Sequence, residues 1–107
     1  MALTRDSNRT IGERVKRDPA FAKALLDEAL TLFLNGEPET ARLVLRDLVN
    51  ATVGFERLAT VTGKPSKSLH RMLSPKGNPS MDNLAVIVSA LRKRLGVKLA
   101  ARAVKAA

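Results

Sequence analysis

The chain has no cysteine, no tryptophan and no tyrosine, and a single histidine, His70. Without cysteine there is neither a disulfide framework nor a thiolate metal site. One histidine excludes a two-histidine metal cluster or an imidazole pair trading a proton. No glycine-rich phosphate loop occurs, and the serines and carboxylates stand in no catalytic order, so neither an enzyme nor a cofactor is expected. The only aromatic residues are Phe21, Phe33 and Phe55. All three fall on apolar helical faces, which leaves no stacking platform for single strands and argues against RNA binding. Long apolar runs are missing too, since none approaches the roughly 20 residues that span a bilayer. The opening Met1–Arg9 carries charges where a secretory leader needs an apolar run. The expectation is a soluble cytoplasmic protein with no membrane attachment. At 107 residues it reads as one domain, 1–107, long enough to bury a modest core without staples.

Acid is scarce in one half only. Residues 1–50 balance eight Lys/Arg against eight Asp/Glu, whereas residues 51–107 hold eleven basic residues against Glu56 and Asp82 alone. The whole net charge of +9 therefore sits in the second half. Segregated positive charge marks a surface for polyanions, because neutralising phosphates releases condensed counterions. A merely soluble basic surface is the alternative, and charge alone does not choose between them.

What is present is almost entirely helical pattern. A first, polar segment from about Thr4 to Arg17 has only Ile11 and Val15 on one face and reads as a peripheral helix. Asp18-Pro19 supplies an N-cap followed by proline at the first helical position, where its missing N–H costs nothing. Phe21, Leu25, Leu26, Ala29, Leu30 and Phe33 then recur at helical spacing until Asn35-Gly36. Pro38 opens a third helix with the face Ala41, Val44, Leu45, Leu48 and Val49. Two short helices follow: one with Phe55, Leu58, Ala59 and Thr62, ended by Gly63, and one from about Ser66 with Leu69, Met72 and Leu73. After a loop dense in turn residues, Ser74–Pro79, Ser80 caps a final helix with the stripe Met81, Leu84, Ala85, Val88, Leu91 and Leu95. Arg92-Lys93-Arg94 in its last turn answers the helix dipole. The basic, alanine-rich tail 96–107 fits either an alternating strand or a frayed helix. The class expected is all-α, a compact bundle of five to six helices.

Phe55 to Leu73 is the informative stretch. Two short helices crossing steeply let the second lie in a major groove; Ala59 permits close packing, Gly63 permits the turn, and Leu58 and Leu69 lock the pair. Here the sequence resembles the lambda-repressor-like helix-turn-helix family. More narrowly, it is similar to small addiction-module antidote proteins related to HigA-type antitoxins. The narrower likeness rests on Leu45 to Phe55, on Lys67 to Leu73, on Gly77-Asn78-Pro79 followed by Asn83-Leu84, and on the entry Arg17 to Phe21. The resemblance implies a helix-turn-helix core over 38–95 with an N-terminal helical extension over 1–36. Two departures stand out. Phe55 occupies the position where that family often carries a phosphate-contacting glutamine, so it is read as core or as packing against the third helix. Lys64-Pro65 replaces the usual Ser/Thr cap, which leaves Ser66 as the nearest capping hydroxyl.

The candidate contacts follow. Ser66, Lys67, Ser68, His70 and Arg71 point away from Leu69, Met72 and Leu73 and are the base-reading candidates, with Arg71 placed for bidentate contact to guanine and Lys67 for guanine or phosphate. Lys64, Lys76, Ser80 and Asn83 are the phosphate candidates, although capping alone explains Ser80. A solvated helix face is the alternative for each. The expected partner is double-stranded operator DNA, read by a homodimer at half-sites about 10 base pairs apart. The resemblance further implies a RelE/ParE-like toxin partner, repression of the chain's own operon, and a toxin surface on the exposed face at Lys23, Asp27 and Glu28. Residues 1–36 simply completing the bundle, in a stand-alone regulator, is the competing reading.

Overall fold

A computed structural model describes residues 5–107, with side chains from residue 11 onward. Six helices follow in order: α1 (Arg5–Arg17), α2 (Pro19–Leu34), α3 (Pro38–Ala51), α4 (Phe55–Thr62), α5 (Ser66–Met72) and α6 (Met81–Leu95). No strand occurs among the described residues, so the all-α class holds. The expected start of α1 at Thr4 lies outside them. No helix among them is long and apolar enough to cross a membrane.

The caps lie where local chemistry puts them. Asp18 accepts a hydrogen bond from the Ala20 amide at 3.1 Å, and Pro19 begins α2 without a donor to strand. At the other end the Asn35 amide donates to the Thr31 carbonyl, and three residues later Pro38 starts α3. So short a link leaves α2 and α3 side by side, and they form the most extensive helix pair of the fold. α1 packs on α3 as well as on α2. It is less peripheral than its polarity implies, because Val15 is buried, Ile11 packs against the core, and Arg14 lies 4.2 Å over the Phe21 ring.

One core joins the two halves. Leu26 and Ala29 of α2 and Leu45, Leu48 and Val49 of α3 meet Leu58 of α4, Leu69 and Leu73 near α5, and Ile87 and Leu91 of α6. Each fully buried leucine contributes about 1.5–3 kcal/mol of transfer free energy. The stripe expected on α6 is turned. Leu84, Val88, Leu91 and Leu95 do face inward, but Ile87 replaces Met81 and Ala85, which are exposed, Met81 by 75%. The cause is that α6 is apolar on more than one side, so periodicity fixes the line of the stripe and not which of its edges is covered. Nor is the tail a strand or a helix. Residues 97–107 have no regular structure; Val97 packs on the core and the chain then runs along α2, with Leu99 beside Leu30 and Leu34.

Candidate nucleic-acid interface

α4 and α5 pack directly on each other across a turn of three residues, Gly63–Pro65. Gly63 closes α4 in the left-handed region at φ +72°, a conformation a Cβ resists, and its amide donates to the Ala59 carbonyl at 2.9 Å. The Thr62 hydroxyl accepts from the Lys64 amide at 3.3 Å. Pro65 fills the N-cap position of α5 with no side-chain capping bond, and Ser66 is already helical. The expected Ser66 cap is therefore not formed, because proline's fixed φ starts the helix one residue sooner.

α5 divides cleanly into two faces. Leu69 is fully buried and Met72 half-buried, while Lys67 and Arg71, four residues apart, are both exposed at the centre of the opposite side. Ser66 and Ser68 are half-buried on its flanks. His70 is also exposed, but its ring stacks on Phe55 with centroids 3.8 Å apart and 19° between planes. One face of the imidazole is thus occupied by Phe55, and the ring is held in a fixed orientation on the helix. Phe55 itself is 6% exposed, in keeping with a core role. The stack ties the first residue of α4 to the last turn of α5 and so fixes their crossing.

The flanking cations lie at the two ends of α5. Lys64 is half-buried in the turn, and Lys76 is exposed in the loop after α5. Ser80 accepts a hydrogen bond from the Asn83 amide at 3.1 Å, so its oxygen and that N–H already serve the α6 cap. What remains toward a phosphate is the Ser80 hydroxyl proton and the half-buried Asn83 side chain.

The exit of α5 is held more firmly than its sequence implies. The Ser74 hydroxyl donates to the Arg71 carbonyl at 2.8 Å, and the Gly77 amide donates to the Ser74 carbonyl at 3.0 Å. A Cβ on Gly77 would lie 2.5 Å from the Arg71 carbonyl oxygen and nearer still to that of Met72, so the loop folds back tightly under the helix. Arg42 of α3 is only 7% exposed; its Nε donates to the Ser74 carbonyl at 3.0 Å and its Nη2 to the Pro75 carbonyl at 2.9 Å. Reading the sequence missed Arg42. A signal was there, because it falls at core spacing with Leu45 and Val49, and a charge on a buried stripe needs a partner.

The other candidate surface is less open. Lys23, Asp27 and Glu28 are exposed on α2, but Lys23 and Asp27 border the tail at Val97–Ala100. No family model, curated protein or solved structure matches the chain.

Proposed function

We propose that this protein binds double-stranded DNA through α5 and acts as the antitoxin of a type II toxin–antitoxin pair, repressing its own operon. The observation that carries the DNA reading is the outward face of α5, where Lys67 and Arg71 stand exposed on a helix whose exit loop is held by Arg42. Lys64 and Lys76 sit at its two ends, where phosphate contacts fix register without reading sequence. Arg71 offers guanine the planar two-donor fork that matches its O6 and N7 acceptors. Two copies reading half-sites about one helical turn apart supply the site length that one short helix lacks. The exposed Val61 of α4 and Val86 of α6, which line one groove with Val53 and Ala90, support the α4–α6 groove as the surface through which the copies meet.

Toxin capture rests on the resemblance and on the charge-balanced first half of the chain, which meets a basic partner without the repulsion the second half generates. A stand-alone regulator is the second reading. It is favoured by Val15, Leu26 and Ala29 lying in one core with Leu58 and Leu69, so that α1 and α2 already have a structural task.

One pair of variants tests both. Replacing Lys67 and Arg71 by Ala together should abolish promoter binding in a gel shift and leave capture of the neighbouring gene's product intact. Reversing charge at Lys23, Asp27 and Glu28 should do the opposite. If the unmutated protein captures no neighbouring product in a pull-down, the antitoxin reading fails and the regulator stands.

A further inference from the structure

Arg42 is a buried cation whose hydrogen-bond partners are backbone carbonyls 32 and 33 residues downstream. If Arg42 served stability alone, an apolar side chain of similar volume would often do as well. What the guanidinium supplies instead is a fork: two donors in fixed geometry on the successive carbonyl oxygens of Ser74 and Pro75. The segment so held otherwise depends on short-range turns, Ser74 to Arg71 and Gly77 to Ser74. It begins one residue beyond α5, after the C-cap Leu73, and the residue that follows it is the exposed Lys76.

We infer that Arg42 is a positioning residue for DNA reading: from α3 it fixes the exit of α5 and the Lys76 loop, and so sets the angle at which Arg71 and Lys67 meet the bases. The inference rests on the DNA-binding reading above. Arg42 touches no base or phosphate itself. Its influence runs through Ser74 and Pro75, and it links the neutral helices mechanically to the charged ones.

The test uses the full chain with Arg42→Met, which keeps bulk but no donors, and Arg42→Lys, which keeps charge and reaches one carbonyl at a time. Amide hydrogen exchange at Ser74 and Gly77 should quicken about tenfold in Arg42→Met, the scale of one lost charge-assisted hydrogen bond, while the Leu26 and Ala29 amides of α2 keep their rates. Affinity for a fragment of the chain's own promoter should fall about tenfold or more, with binding to an unrelated duplex changing less than about threefold. Arg42→Lys should recover part of both. Should Arg42→Met fail to fold, Arg42→Lys carries the same comparison against the unmutated chain. Equal quickening in α2 and in the loop makes Arg42 a general stabiliser and overturns the inference. So does a loosened loop with an unchanged ratio of specific to non-specific affinity. Wild-type protein that binds promoter and unrelated duplex alike overturns the base-reading role of α5, and wild-type protein that binds neither overturns the DNA reading itself. That failure is told apart from failure of the clamp because the exchange measurement involves no DNA.

Discussion

The two halves of this chain solve different problems. α2 and α3 have 16 and 14 residues and sit in a charge-neutral half, whereas α4 and α5 have 8 and 7 and sit in the half that carries all of the +9. Isolated helices as short as α4 and α5 are marginal in water. Their shape is imposed from outside, by Gly63 at the turn, by the Phe55–His70 stack, and by Leu58 and Leu69 seated against Leu45, Leu48 and Val49. The neutral half thus contributes rigidity and the basic half contributes surface. Like charges crowded on a small module repel one another, and a shared core is what offsets that repulsion.

The largest effect is expected from removing the joint between the two halves. Leu69→Ala should destabilise the fold by about 2–5 kcal/mol. Helicity followed by circular dichroism and promoter binding should then be lost in one transition, since Leu69 shares its cluster with Leu26 and Leu48. Two separate transitions would show that the halves fold independently. A smaller change refines the role of the basic surface. Arg71→Ala should cost about 1–3 kcal/mol of discrimination at one base pair, read by competition between promoter variants. If specific and non-specific binding fall equally, Arg71 acts as a charge and not as a reader. Lys76→Ala should weaken all duplexes alike and reduce the slope of log K against log salt by about 0.9; an unchanged slope removes Lys76 from the phosphate set.

The smallest effect belongs to the neutral half. Burial pushes the Asp47 carboxyl above its ordinary range, and the neighbouring Arg46 only partly opposes this. The folded state therefore takes up that proton more readily than the unfolded one. Its contribution is fully present below the ordinary carboxylate range and is lost as pH rises through the raised value. Asp47→Asn should accordingly melt above the wild type at neutral pH, with the gap closing in acid. A gap that widens in acid would reverse the sign.

How far the sequence foretold this division differs by element. α2 was legible to the residue at its start, because Asp18-Pro19 is a local signal that tertiary packing has no reason to override. α3, α4 and α5 followed from their apolar spacing. α6 was legible in extent but not in orientation: which of Met81 and Ile87 goes inside depends on what lies opposite, and α4 packing on α6 is a long-range fact. The outward Lys67 and Arg71 were readable because Leu69 and Leu73 fix the inward side. The burial of Arg42 was signalled by its core spacing with Leu45 and Val49, but what it holds was not, since its partners are carbonyl oxygens, which leave no trace in side-chain identity. The tail escaped both periodic readings because Val97 and Leu99 dock as single side chains and demand no regular backbone.

The stack of Phe55 on His70 has a consequence for optical measurement. A chain without tryptophan or tyrosine is nearly silent at 280 nm, so any fluorophore introduced into it reports alone. Phe55→Trp would set a single indole face to face with an imidazole, and histidine in contact with indole quenches its emission. Brightness would then follow the separation of α4 from α5, turning the joint of the helix pair into its own gauge in solution, with no label attached near Lys67 or Arg71.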